Sequence, residues 1–253
     1  MSHPFRTALV VEAQKLRASR VVLAASLLLL VGISVLVGAM TAAAEAGNEQ
    51  ILSQLGTIAD GEGWERFWGV SAQVTAAAGL LCFGVVLAWV VGREFADGTI
   101  TGLFAITVPK ATIALAKLAV TLCWSAAVAV ALTAFLVVTG TLVVGAPDTE
   151  SLAGIGRLLV LTVLSGLLAT PTAWAATLGR GLLPGIAVAV TMMATAQVFA
   201  VAGTGAWFPV AAPALWAIDP ASVSPLQLTL VALVPIGATL LTTRAWSRLQ
   251  LDR

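Results

Sequence analysis

VSAQVTAAAGLLCFGVVLAWVVGREFADGTITGLF, residues 70–104, changes character two thirds of the way along. Residues 70–91 contain no Asp, Glu, Lys or Arg, and the run is long enough for a helix that needs roughly 20 apolar residues to cross a hydrocarbon core. Arg93, Glu94 and Asp97 then fall within five positions, and Gly98 follows. A chain that leaves lipid so abruptly has reached a water-facing boundary.

The rest of the sequence repeats the first half of that pattern. Of 253 residues 59% are hydrophobic and 10% charged, far below the roughly one quarter of charged residues in soluble domains. Too few polar groups exist to cover such a surface, so lipid must be part of its solvent. A net charge of +1 says nothing about a nucleic-acid partner. Measured as charge-free apolar runs, six spans are expected at 21–43, 70–91, 118–144, 154–178, 182–203 and 226–243; Arg157 in the first turn of the fourth is the exception. The connection around Gly179-Arg180-Gly181 is so short that the fourth and fifth spans should form a tight antiparallel hairpin. The expected fold class is an all-α integral membrane protein, residues 1–253 forming a single transmembrane domain. Ala42-Ala43-Ala44 resembles a cleavage site, but the apolar core before it is nearer 20 residues than the 7 to 15 of a signal peptide, so the first span is expected to be kept as an anchor.

Lys and Arg are retained on the cytoplasmic side. With the N-terminus inside, Arg6, Lys15, Arg17, Arg20, Arg93, Lys110, Lys117, Arg180, Arg244, Arg248 and Arg253 lie inside and Arg66 and Arg157 outside. The acids Glu45, Glu49, Asp60, Glu62, Glu65, Asp148, Glu150 and Asp219 fall outside. Both termini are therefore expected in the cytoplasm of a multi-pass membrane protein.

That orientation puts residues 92–110 in the cytoplasm. Ile100, Leu103, Phe104 and Ile106 are too apolar for a simple solvated loop, and Thr99 through Ile106 reads as a short amphipathic helix. Asp97 or Thr99 would be its N-cap, and Gly98 would allow the turn before it. Pro109 suits the first turn of the next helix. Lys110 and Lys117, seven apart on one face, would snorkel to the headgroups. Two readings stand on composition: an ordinary polar turn, or a docking element. At the N-terminus Phe5, Leu9, Ala13 and Leu16 recur at helical spacing with Arg6, Gln14, Lys15, Arg17 and Arg20 on other faces, which suits an interfacial helix over 3–20; a topology-setting basic leader needs the same arginines.

Several chemistries lack their residues. A Walker loop ends in Gly-Lys-Ser/Thr, and none of Lys15, Lys110 and Lys117 follows a glycine. Ion-coupled carriers keep an ionisable group at mid-membrane, whereas these spans offer only Gln73, Gln197 and scattered hydroxyls. His3 stands in the leader, and Cys82 and Cys123, read as small core residues, are too few for a zinc set. No catalytic residue, metal ligand or cofactor is expected in this chain.

On the outer side, residues 44–69 combine Ile51, Leu52, Leu55 and Ile58 with GEGWERFW, residues 61–68, which suits an interfacial helix with aromatics at headgroup level. GTGAWFPVAAPALWAIDPASVSP, residues 203–225, is apolar but too broken by Pro209, Pro213, Pro220 and Pro225 to be another span. A re-entrant hairpin over about 204–225 accounts for both features, and non-helical backbone at that depth survives only against protein or a water-filled cavity. Trp207, Phe208 and Trp216 are candidates for an outer gate, with anchoring in the aromatic belt as the alternative.

GREFADGTITGLFAITVPKATIALAKLAV, residues 92–120, resembles the signature of the type-two permease family of ATP-binding-cassette (ABC) exporters, matching at Glu94, Phe95, Gly98, Thr99, Pro109, Lys110, Ala116 and Lys117. The order of basic N-terminal helix, six spans and short loops is similar over nearly the whole chain. The resemblance implies that residues 94–107 are a coupling helix docking in an ATPase subunit, with Arg93, Glu94, Phe95, Asp97, Gly98, Thr99, Ile100, Leu103 and Phe104 as coupling residues. It implies that the N-terminal helix is an elbow, and that two ABC ATPase subunits, with ATP and Mg bound on them, drive this permease paired with a second copy or a sister permease. Alternating access in a bacterial cytoplasmic membrane would then export a hydrophobic or amphiphilic cargo such as a drug, peptide antibiotic or lipid. Cavity-lining candidates by position are Gln73, Phe83, Thr191, Met192, Thr195 and Phe199. The alternatives are a non-transporting anchor or an immunity or sensing subunit, and an ion-coupled carrier.

Overall fold

The computed structural model describes residues 4–105, 107–147, 149 and 151–250, all helical or connecting. Helix α1 (Pro4–Arg17) leads into six helices long and apolar enough to cross a membrane: α2 (Arg20–Glu45), α4 (Gly63–Ala96), α5 (Lys110–Val143), α6 (Leu152–Leu178), α7 (Leu182–Val201) and α9 (Pro225–Ser247). Two short helices, α3 (Glu49–Leu55) and α8 (Ala212–Ile218), lie between spans. The spans match those expected within a few residues, except that α4 begins well before residue 70 and α5 well before 118. Of the residues weighed from sequence, His3, Ile106, Asp148, Glu150 and Arg253 lie outside those described.

Local chemistry sets the joints. Ser19 opens α2 by accepting the Val22 amide on its hydroxyl at 3.2 Å, the capping that Ser favours. Pro171, which has no amide hydrogen to donate, starts a new helical run after a turn at Ala169 and Thr170 that interrupts α6. Ser224 and Gln227 form a capping box at the start of α9.

α4 is the central helix and packs on α7, α6, α2 and α8. Its contact with α7 is a seam of small residues at every fourth position: Gly84 lies on Ala189, Ala88 on Gly185 and Gly92 on Gly181. The two residue numbers sum to the same value in each pair, as the register of two straight antiparallel helices requires. In lipid no hydrophobic effect drives helices together, and small residues allow the close backbone approach that replaces it. At Gly92 that approach is backbone to backbone: a Cβ there would stand 2.8 Å from the Gly181 carbonyl carbon and the Leu182 nitrogen. The α6–α7 turn that makes this possible is the tight hairpin expected, with Arg180 at φ 49°.

At the α3 end of the bundle the aromatics differ from expectation. Trp64, Phe67 and Trp68 are buried in the first turns of α4, not spread at headgroup level. Their rings meet at 5.3 to 5.4 Å, Trp64 rests on Gly140 of α5 and Trp68 on Gly154 of α6. The missing Cβ at those glycines is the space the indoles fill, and aromatic area buried against protein outweighs anchoring in the belt. Nearby Arg66 pairs with Glu45 at 2.8 Å. Cys82 is half-buried, while Cys123 is exposed on the outside of the bundle rather than in its core.

Candidate functional site

The charges that interrupt the apolar chain gather at the α1 end, around a buried four-membered ion cluster. Glu12 and Lys15 come from α1, Glu94 from the last turn of α4, and Lys117 from the second turn of α5. Lys117 Nζ lies 2.6 Å from Glu94 Oε1 and 2.8 Å from Glu12 Oε2. Lys15 Nζ lies 3.1 Å from Glu94 Oε1 and 3.1 Å from Glu12 Oε1. Each carboxylate thus faces both ammonium groups, and the set is neutral. Lys117 is 1% exposed, Glu94 3% and Glu12 5%.

Charges so deeply buried cost several kcal/mol each in lost hydration and persist only when fully paired. α1 brings them in because its buried ridge runs through Ala8, Glu12 and Leu16. Lys15, at the rim, loses water to burial, but the Glu12 and Glu94 carboxylates outweigh that loss and hold its pKa above the ordinary lysine value. It therefore stays charged at neutral pH. Lys117 does not snorkel: Glu12, Glu94 and the apolar wall of Leu16 and Val90 enclose it. Lys110 also turns inward, donating to the Leu249 carbonyl at 2.7 Å.

The segment after α4 hangs from this cluster. Asp97 ends α4, Gly98 turns the chain at φ +67°, and Thr99–Phe104 form a 3-10 helix, not the α-helix expected over 94–107. Residues 94–96 still belong to α4. Neither Asp97 nor Thr99 caps the short helix; the Thr99 hydroxyl instead donates to Glu94 Oε2 at 2.6 Å. Ile100 and Leu103 do not form a free docking face. They pack with Phe95 and Val108 on a core of Leu87, Val91, Ile113, Leu118 and Trp246, because burial against the chain's own helices is available without a partner. Phe95 meets Trp246 edge-on at 6.3 Å, and the Arg93 guanidinium stacks 4.4 Å from the Trp89 ring. Among the described side chains of residues 97–105, the surface left outward is formed by Asp97, Thr99, Thr101 and Ala105 with Gly98 and Gly102; the Phe104 side chain, expected to couple, lies outside those described.

Thr99→Val isolates one link of this arrangement. Thr99 is exposed, so water can replace its hydroxyl, and global stability should fall by no more than about 1 kcal/mol. Amide exchange over 99–104 should nevertheless speed up; unchanged exchange would mean the Glu94 contact does not hold the segment.

The remaining candidates divide. Gln73 lines a cavity of about 560 Å³ among α4, α7, α8 and residues 55–57, together with Leu80, Met193, Gln197 and Leu215. Its amide oxygen is buried without a hydrogen-bond partner. Phe83 does not face a cavity; at 1% exposure it packs against Trp124 with ring centroids 5.5 Å apart. Thr191 and Thr195 bond their hydroxyls to carbonyls of their own helix, and Met192 packs toward Leu80 and Val231. Phe199 stacks on Phe208 at 4.5 Å. Trp207 is 64% exposed, whereas Trp216 turns into the core between α4 and α6, so the three gate candidates do not meet.

Glu12 and Lys15 were not foreseen as partners of Glu94 and Lys117. A signal existed: Glu12 is the only acid before Glu45, and it stands one helical turn from both Ala8 and Leu16 on the apolar ridge.

Residues 8–196 match a family model described as ABC-2 family transporter protein. No curated protein matches the chain. With about three quarters of its length matched, including all four charges of the cluster, the chain belongs to the ABC-2 transporter family.

Proposed function

We propose that this ABC-2 family chain, the membrane component of an ABC transporter whose ATP hydrolysis resides on a partner subunit, exports a hydrophobic or amphiphilic cargo by alternating access. The observation that carries the coupling step is the bond from Thr99 to a Glu94 already shared by two lysines. A load on residues 97–105 reaches α4 through Glu94, α5 through Lys117 and α1 through Glu12 and Lys15. Buried ion pairs suit this task because they are stiff in direction and costly to separate. The outward surface of Asp97, Thr101 and Gly102 is where an ATPase would press, with interfacial charge setting its orientation.

In this reading both termini and residues 97–109 lie in the cytoplasm, consistent with the lysine and arginine bias. Two ATPase subunits carrying ATP and Mg act on two permease copies or on this chain and a sister permease. The cavity beside Gln73, within the size range of small-molecule sites, supports a largely apolar cargo with a hydrogen-bonding group.

Reconstitution of the chain with its ATPase tests the proposal. ATP-dependent export from liposomes is expected, and Gly98→Pro should abolish it while membrane insertion and the folded bundle persist. Proline cannot adopt φ +67°, and Gly98 has open space around it, so the damage stays local. Undiminished export by that variant, or transport by the chain alone without ATP, would overturn the coupling assignment.

A further inference from the structure

The small-residue seam between α4 and α7 does not run the full length of the two helices. Its register, in which Gly84 meets Ala189, Ala88 meets Gly185 and Gly92 meets Gly181, continues toward the α3 end through Leu80 with Met193 and Ala76 with Gln197. All four of those residues line the cavity of about 560 Å³ that also takes in Gln73. Glycine and alanine let the helices touch, whereas Leu80 and Met193 hold them apart. The resulting cleft is closed on a third side by Ala214 and Leu215 of α8. It lies far from the ion cluster, because α4 is continuous from Gly63 to Ala96 and Gln73 precedes Glu94 by about six turns, roughly 30 Å.

The polarity of the cleft is confined to uncharged groups. Among the described residues no Asp, Glu, Lys or Arg lines it; the polar side chains are Gln73 from α4, Gln197 from α7 and Thr57 from the connection after α3. Gln197 falls level with Ala76 in the seam register, within one turn of Gln73, so the two carboxamides share one part of the cleft. The Gln73 oxygen is shielded from water and bonded to nothing. An amide oxygen in that state has lost its hydration without compensation. The terminal torsion of glutamine is broad, so the group can turn to offer a ligand either its oxygen or its nitrogen.

We propose that this cleft binds an uncharged amphiphile through a carboxamide or hydroxyl group, held by Gln73 and Gln197 while the apolar body lies against Leu80, Met193 and Leu215. Carboxamides both donate and accept hydrogen bonds, and a ligand group that does the same satisfies them. An ion of either sign would enter without a counter-charge, which is the costliest kind of burial. A lipid tail would fill the apolar walls and leave the Gln73 oxygen unpaired. The volume suits a drug-sized molecule. That this ligand is the exported cargo rests on the export proposal; that it binds in the cleft does not.

Protection of an introduced thiol provides the test. Ala77 lines the cleft, and the full chain carrying Ala77→Cys in a Cys82→Ala/Cys123→Ser background, in nanodiscs of neutral phospholipid, is treated with methyl methanethiosulfonate and read by mass. Decanamide is expected to slow the modification saturably, and decyl sulfate and decyltrimethylammonium should need at least about tenfold more to do so. Gln73→Leu, which keeps the bulk of the side chain, should raise the half-protecting concentration of decanamide about fivefold, the loss of one hydrogen bond, and Gln197→Leu by less. Decane, which has no polar group, should protect the parent and both variants alike. A thiol that never reacts, equal protection by the amide and the ions, decanamide protection unchanged in both variants, or decane protection lost in parallel would each overturn the site. No ATPase or ATP is present, so failure here strikes the site and leaves ATP-driven export to the liposome assay, whereas failure of export leaves the site standing without its role in transport.

Discussion

Lys117→Met is expected to cost about 3–5 kcal/mol, the penalty for leaving buried charge without its counter-ion. With the ammonium gone, Glu12 and Glu94 face each other with only Lys15 at the rim to compensate. The same carboxylates are the reason the loss exceeds that of an exposed pair, which is worth at most about 1 kcal/mol. Adding Glu94→Gln to Lys117→Met restores neutrality with Glu12 and Lys15 still paired, and the glutamine oxygen can still accept the Thr99 hydroxyl. The double variant should therefore be more stable than the sum of the two single losses predicts, by at least about 1 kcal/mol. Unfolding in mixed micelles titrated with SDS reads all three values. Simple additivity would show that the four groups do not act as one buried cluster.

Gly92→Val should cost about 3 kcal/mol, at the upper end of overpacking losses. Replacing a helix-interior glycine would by itself gain up to about 1 kcal/mol of propensity, less for a β-branched residue, so the sign is decided by space. The new Cβ would meet backbone, which cannot rotate away as a side chain can. The Gly181 amide is fixed by the Ala176 carbonyl at 3.0 Å and the Gly179 amide by Ala175 at 2.9 Å, so the hairpin has no slack. Gly102→Ala, in the same stretch of sequence, provides the contrast. Nothing lies within 4 Å of the added methyl, and stability should change by less than about 0.5 kcal/mol. If both variants behave alike in the same SDS titration, the seam between α4 and α7 is not close-packed.

Six apolar runs, charge-free but for Arg157 in the first turn of the fourth, were enough to place six crossing helices, because a hydrocarbon core tolerates almost no unpaired charge and demands a minimum helix length. The glycine–arginine–glycine turn, the left-handed Gly98 and the breaking of residues 203–225 by prolines were likewise local properties, decided within a few residues of chain. The small-residue spacing of α4 and α7 was present in the sequence too, but nothing in it says which stripe meets which. Partnership across the bundle was a different matter. A lysine at the end of an apolar run reads as a snorkelling group, since headgroups are its nearest water; Lys117 is instead enclosed because Glu12 arrives from more than a hundred residues away. The apolar residues after Gly98 were legible as an amphipathic face, yet whether Ile100 and Leu103 would seat in a partner or in their own bundle depended on where Trp246, far along the chain, placed its ring. Pattern along the chain determined what must avoid lipid, and only the packed helices decided which distant groups would offset the cost of each buried charge.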